Sequence, residues 1–423
     1  MKGIRKVSLL ISFILLVSVI VSGCSDEETS KQAEGKVEGD ITVWTMPFVG
    51  EDLKNEQKSM WNDIKKSFEK EYPGTKVKFE EIPWANREQK ILTALAANSG
   101  PDVFYIIPDQ MTQFADKGVL EPISSYLEDG DTEDFTDSSL DAATYDGKLY
   151  ALPILREVQT YYYNTNVLND LGLDKNDLPT TWAEYDEWAK KAVDAGYYAR
   201  NFEGANTPNA TLYPLIWQAG GQVLTPDGDV KIDEEAGIEA FEKINQWYKE
   251  EYIPSDSINA LTHFNLFLEN KAMSVWSAQS AQTTMKAEGF EDFVVGPPLK
   301  EEEVAGFGVT GMFTMPSNSK NKPTAAAFIK HMTNKENTIK FNELTGYLPP
   351  RKSASSMYDD NSNMKQLTEY VEFARPGVMH PASRSVIPKV QAELQAMMEG
   401  TKSPEEAAKA AAEAIQAEVD KLN

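Results

Sequence analysis

Residues Tyr145–Asn164 read YDGKLYALPILREVQTYYYN, and how this stretch is placed decides how the rest of the chain divides. Asp146-Gly147 near its start is a turn signal, and two β-prone runs follow. Lys148–Ile154 carries apolar and aromatic residues suited to a strand, with Pro153 inside it. Proline donates no ladder hydrogen bond, so it marks a strand end, an edge or a crossing point. Arg156 and Glu157 follow, and Val158–Tyr163 is a second run rich in Thr and Tyr. The stretch reads either as an interior sheet with one salt bridge or as a crossing between two lobes, with Arg156 and Glu157 at the seam.

Working outward, 423 residues exceed what one core usually serves, so two lobes are expected. A net charge of −25 argues against a nucleic-acid partner, which needs clustered Lys and Arg. The single cysteine, Cys24, allows no internal disulfide. The three histidines are far apart and no HExxH or CxxC occurs, so neither a metal site nor a cofactor is expected. Nucleophile-elbow and phosphate-loop motifs are absent as well. Acidic pairs such as Asp359-Asp360 abound and read as solvated surface, and Asp227–Asp233 reads as a β-turn rather than a calcium loop.

Strand and helix signals alternate. Asp40–Trp44, Thr75–Ile82 and Asp102–Ile107 read as strands, separated by helical spacing at Leu53–Phe68 and Arg87–Asn98. Alternation of this kind implies βαβ units, with ligands beyond the carboxyl ends of the strands. That places Trp44, Trp84 and Asp109 near one cleft edge. Further on, Thr181-Trp182-Ala183-Glu184 is a capping box, and Asp233 is a candidate cap. Ala272–Ser277 and Phe293–Val295 read as strands, and Gly306–Met315 as a glycine-punctuated one. Gly346 reads as a helix C′ residue, Pro388 as a helix opener, and Ser403-Pro404-Glu405-Glu406 as the start of the last helix.

At the N-terminus, Lys2, Arg5 and Lys6 precede an apolar run over 7–21, shorter than the roughly 20 residues that span a bilayer. Val21-Ser22-Gly23-Cys24 then resembles a bacterial lipobox. Residues 1–23 are expected to be a signal peptide and 24–39 a flexible tether on a lipidated Cys24.

The tryptophans carry the chemistry. Trp61, Trp182, Trp188 and Trp247 lie in helical stretches and suit packing. Trp44, Trp84, Trp217 and Trp276 sit at strand ends or beside Gly and Ser breaks. Sugar rings pack their C–H faces on aromatic planes, and their hydroxyls need planar, bidentate partners. Aromatics interleaved with Asp109, Arg156, Glu157 and Arg384 suit such a ligand.

TVW at 42–44, PDVFYIIPDQ at 101–110, YALPILREVQTYYYN at 150–164, WQAGG at 217–221, TGYLP at 345–349 and GTKSPEEAAKAAAEAI at 400–415 follow in order. With the lipobox cysteine, this set resembles the family 1 extracellular solute-binding proteins, the maltodextrin-, multiple-sugar- and glycerol-phosphate-binding components of ABC importers. The resemblance implies an α/β, two-lobed periplasmic-binding-protein fold of the class II type with a ligand cleft between the lobes. Lobe one would be 40–152 plus 311–348 and lobe two 156–307 plus 352–423, with hinges near 152–157, 306–312 and 348–352. It implies ligand contacts at Trp44, Trp84, Arg87, Asp109, Glu157, Trp217, Trp276, Ser277, Gly311, Tyr347 and Arg384. Two departures stand out: Ser277 where many members carry a Gly-Pro-Trp type ending, and Arg156 where a smaller or aromatic residue is common.

The implied function is a monomeric, membrane-anchored receptor outside the cell. It would close on a carbohydrate, an oligosaccharide, and hand it to an ABC permease, without catalysis. Arg87, Arg156, Arg351 and Arg384 admit an anionic ligand instead, a uronate oligosaccharide or a glycerol-phosphate compound. An extracellular carbohydrate-active enzyme and a sensory co-receptor are the remaining alternatives.

Overall fold

The computed structural model describes residues 35–85 and 87–422. The expected signal peptide, Cys24 and most of the expected tether lie outside the described residues.

Nine strands form two sheets: β1 (Gly39–Thr45), β2 (Thr75–Glu81), β3 (Val103–Ile106), β4 (Ala151–Arg156), β5 (Gln159–Asn164), β6 (Tyr198–Arg200), β7 (Ala272–Ala278), β8 (Phe293–Val295) and β9 (Thr310–Thr314). The first sheet runs β2-β1-β3-β9-β4 and the second β8-β5-β7-β6. β1, β2 and β3 are parallel, as the alternation with helices predicts, while β9 returns antiparallel to both β3 and β4. β4 lies at an edge, where a strand tolerates Pro153. Ahead of it, Asp146 and Gly147 both have positive φ and close a tight hairpin between Thr144–Tyr145 and Lys148–Leu149.

The principal helices are α1 (Lys54–Glu71), α2 (Arg87–Ala96), α3 (Pro108–Asp116), α4 (Trp182–Asp194), α5 (Tyr213–Gln218), α6 (Glu235–Lys249), α7 (Lys322–Met332), α8 (Lys335–Thr345), α9 (Ser383–Met398) and α10 (Pro404–Val419). Capping boxes start α4 at Thr181 and α10 at Ser403. Gly346 closes α8 in the left-handed region at φ 74°, where a side chain would be strained.

Two large cores form. One packs Val43, Phe104, Ile154, Phe313 and Phe341 around the first sheet. The other packs Tyr161, Tyr185, Trp247, Val390 and Ile415 around the second. A smaller cluster of Val158, Tyr162, Val275, Leu348 and Leu367 adjoins them. The chain passes between the sheets at Glu157, and the passages lie side by side. The Arg156 N–H donates to the Leu348 carbonyl at 2.7 Å, and the Glu157 N–H donates to the Val309 carbonyl at 2.8 Å. At Gly308 a Cβ would stand 1.9 Å from the Glu157 carbonyl oxygen, so only glycine lets the two segments touch.

Three local expectations are corrected. The strand expected over Gly306–Met315 is broken: Gly306–Phe307 pairs with Ala374–Arg375, and β9 begins at Thr310. The break falls at the Gly308 crossing. α9 starts at Ser383, ahead of Pro388, because the Ser383 hydroxyl and the Arg384 guanidinium bond to Asp109 and fix the first turn. The residue preceding α6 is Glu234 rather than Asp233, and it makes no side-chain cap bond.

Candidate ligand site

The parallel strands of the first sheet deliver the loops after β1, β2 and β3 to one edge, and the start of α9 meets them from the second unit. Between them lies a cavity of about 590 Å³. The first unit lines it with Trp84, Arg87, Glu88, Asp109 and Gln110, and the opposite wall carries Thr207, Asn209, Phe307 and Arg384.

Trp84 is held by its indole N–H, which donates to the Pro47 carbonyl at 2.9 Å. Phe48 and Tyr105 meet it edge-on with centroids 5.6 and 5.7 Å away, and the Arg87 guanidinium lies 5.0 Å from its ring. It remains 38% exposed, an accessible aromatic surface on a rigid mount. Asp109 is buried at the start of α3, where the helix dipole favours a carboxylate. Burial still pushes its carboxyl above the usual range, and Arg384, 3.1 Å away, opposes that rise. Arg384 also reaches Glu88 at 3.2 Å. Burial works against its charge, but the two carboxylates outweigh burial and hold it protonated. This ion pair joins α9 to α3. The Arg87 guanidinium, whose pKa burial lowers, donates to Gln110, yet its buried Nε–H meets no acceptor among the described residues. The buried Asn209 Oδ1 on the far wall also lacks a donor among the described residues. The polar lining of Glu88, Gln110, Thr207 and Arg384 suits a ligand rich in hydroxyls.

Beside this cavity lies another of about 620 Å³ between the same units, lined by Phe48, Gly50 and Thr345 on one side and by Glu203, Thr262 and Ser277 on the other. Phe48 contacts Trp84, so the aromatic group stands where the two spaces meet.

The remaining sequence candidates scatter. Trp44 is buried against the core, its indole donating to Glu80 at 3.0 Å and its ring carrying the Lys90 ammonium. Trp217, in α5, and Trp276, on β7, lie in the second core at 4% and 8% exposure. Gly311 faces Tyr105: a Cβ there would stand 2.4 Å from the Tyr105 hydroxyl, so the glycine makes room for packing. The Tyr347 ring stacks with Phe341 beside the first core. Arg156 is buried and ties Glu372, Ser138 and the Val371 carbonyl together. Glu157 lines a hinge cavity of about 270 Å³ with Gly308 and Arg375, and burial pushes its carboxyl up to about 7.

Phe48, Thr207 and Asn209 were not singled out in the sequence. Phe48 had a faint signal in Pro47 and Gly50, which mark a turn. Asn209 had none, because Thr207 and Pro208 read only as a helix start.

The sequence model of a family described as bacterial extracellular solute-binding protein matches residues 50–339. The galactooligosaccharide-binding protein of Bacillus subtilis is 24% identical over 432 residues, covering 95% of each chain. The diacetylchitobiose-binding protein DasA of Streptomyces coelicolor is 25% identical, covering 93% of this chain and 94% of its own. Among solved structures, the cyclic alpha-maltosyl-1,6-maltose binding protein of Arthrobacter globiformis matches with a TM-score of 0.78 at 18% identity, covering 92% of this chain and 100% of that one. The GacH receptor of Streptomyces glaucescens, solved unliganded and with acarbose, matches with a TM-score of 0.75 at 22% identity, covering 91% and 99%. At these identities the structural likenesses speak to the fold.

Proposed function

The chain belongs to the bacterial extracellular solute-binding proteins, and on that premise we propose that it captures a carbohydrate, an oligosaccharide, between two lobes and passes it to the permease of an ABC importer. The observation that carries the reading is the Trp84 cavity, with an exposed aromatic surface, buried polar groups and walls from both units. Its volume of about 590 Å³ falls within the range of small-molecule sites and exceeds the needs of one hexose. The sugars named for the relatives above, galactooligosaccharide and diacetylchitobiose, support the same class.

We take lobe one as 40–152 plus 311–348 and lobe two as 156–307 plus 352–423, turning on the paired segments at 156–157, 309 and 348. A ligand that touches both lobes favours the closed form, because only differential affinity shifts the population. Binding without bond-making is the chain's role, with transport energy supplied by a separate ATPase. The chain works as a monomer, held at the outer face of the cell membrane through a lipidated Cys24. Replacing Cys24 with Ala is expected to move it from the membrane fraction to the medium.

A neutral ligand is favoured over an anionic one. Of the four arginines that admitted an anion, Arg156 is paired with Glu372, Arg351 with Asp134, and Arg384 with Asp109 and Glu88. Only Arg87 has no carboxylate partner within ion-pair distance among the described residues. Calorimetry with a panel of neutral and uronate oligosaccharides tests the reading directly. Binding that is indifferent to salt supports a neutral sugar. Silence across the whole panel would overturn the carbohydrate assignment.

A further inference from the structure

The space between the lobes does not end at Trp84. The neighbouring cavity of about 620 Å³ adjoins it at Phe48, and the second lobe builds its far wall. β6 and β7 run parallel in that lobe, and each places a residue at or just past its carboxyl end against the cavity. Ser277 does so on β7, and Glu203 on the loop that follows β6. Carboxyl ends of parallel strands are where ligands meet open α/β sheets, so the second lobe offers its own ligand edge here. Glu203 was not singled out in the sequence.

Glu203 is half-buried and held in place. The Asn201 Nδ2 donates to its Oε1 at 3.0 Å, the His263 backbone N–H to the same oxygen at 3.3 Å, and the Asn206 Nδ2 to its Oε2 at 3.2 Å. Asn201 is itself buried and fixed, its Oδ1 accepting from the Trp276 N–H at 2.9 Å. All three donors are neutral, and no cation pairs with Glu203 among the described residues. A carboxylate has about four acceptor positions, so this one is oriented with capacity to spare. The charge of the lining agrees. Asp52, on the first lobe, is the other ionisable group, and no Lys, Arg or His lines the cavity. The nearby Lys54 is taken by Glu51 at 3.1 Å. The remaining polar lining is Ser and Thr hydroxyl, with Thr262, Ser277 and Thr284 among it. An acidic sugar would meet two like charges here, whereas a neutral one brings the hydroxyl donors that a fixed carboxylate accepts.

On the carbohydrate reading above, we infer that Glu203 is a ligand-binding residue. It accepts hydroxyl hydrogen bonds from the part of the oligosaccharide that lies beyond Trp84, and it sets a preference for uncharged chains long enough to fill both cavities. Trp84 holds one end of the ligand from the first lobe, and Glu203 holds the other from the second.

The test is calorimetry on the full chain with two neutral pairs, maltose against maltotetraose and galactobiose against galactotetraose, and with trigalacturonate as the acidic probe. In the pair that binds, the longer sugar is expected to bind more tightly, and E203A to reduce that gain by roughly tenfold, the loss of a hydrogen bond to a charged acceptor. E203Q keeps one acceptor oxygen and is expected to retain part of the gain while narrowing the gap between galactotetraose and trigalacturonate. Should E203A disturb the loop, T284W carries the test. Thr284 is exposed on the helix Ala281–Ala287, lines the same cavity and lies outside the Glu203 hydrogen bonds, so an indole there fills the space and should remove the same gain. The proposal is overturned if the gain with length survives in both E203A and T284W, or if E203A lowers the urea midpoint and leaves the gain intact, which makes Glu203 a brace for its loop. Trigalacturonate binding as tightly as galactotetraose overturns the charge preference. Silence of the unaltered chain toward every sugar is a different result and overturns the carbohydrate reading itself.

Discussion

Trp84 and Trp276 look alike in the sequence, each beside a strand end and a break, yet the two sheets use them in opposite ways. Trp84 follows β2 on a loop, braced by Phe48 and Tyr105, and shows over a third of its surface to the cleft. Trp276 lies on β7 with neighbours on every side: it meets Tyr161 edge-on at 5.1 Å, and Arg200 stands 5.9 Å from its ring. The difference lies in what covers each strand end. Past β2 the chain turns through a proline into the cleft, whereas β7 is flanked by β5 and β6 in the second sheet. The first lobe thus offers an aromatic platform and the second a polar wall of Thr207, Asn209 and Arg384.

The largest expected effect lies on the buried side of that comparison. Trp276→Ala should destabilise the protein by about 3–5 kcal/mol through the cavity it leaves, read as a lowered urea midpoint. A mild loss there, with sugar binding abolished, would place Trp276 in the cleft and erase the contrast. Next comes Trp84→Ala, which should weaken oligosaccharide binding by about 2 kcal/mol, roughly thirtyfold, while the midpoint barely moves. Calorimetry beside denaturation separates the two. Arg384→Ala should cost about 1–3 kcal/mol in stability, since it strands the buried Asp109 carboxylate. Arg384→Ala combined with Asp109→Asn should recover part of the loss, a coupling that a double-mutant cycle measures.

The smallest effect is a pH dependence at the hinge. Burial lifts the Glu157 carboxyl from 4.5 to about 7, so the folded chain keeps a proton that the unfolded chain releases. A raised folded pKa contributes stability that is complete below 4.5 and is lost as pH rises through about 7. The melting temperature should therefore fall between those values, and Glu157→Gln should flatten the profile over that window.

Much of the fold was legible along the chain. β1 to β3, the Asp146-Gly147 turn, the capping box at Thr181, the start of α10 and the Gly346 stop all follow from local periodicity, turn chemistry and caps. The start of α9 was not, because Pro388 is a strong local signal and the contacts between Ser383, Arg384 and Asp109 that override it span some 274 residues. The site divides in the same way. Trp84, Arg87, Asp109 and Arg384 were picked out and line one cavity: the first three stand just past strand ends, whereas Arg384 came with the family resemblance and no local signal. Trp44, Trp217 and Trp276 carry the same local marks and are buried. Nothing within a few residues of a tryptophan reports which helix will later lie over it.

By itself the sequence determined the alternation of strands and helices and the division into two cores, because propensity, capping and apolar period act over distances of a few residues. Only the tertiary structure decided which candidates face the cleft and that residues 156–157, 309 and 348 run side by side, since those outcomes rest on contacts between segments more than a hundred residues apart. Excluded volume at such contacts, as where Gly308 meets the Glu157 carbonyl, shows in the sequence only as a glycine, with nothing to say which segment approaches it.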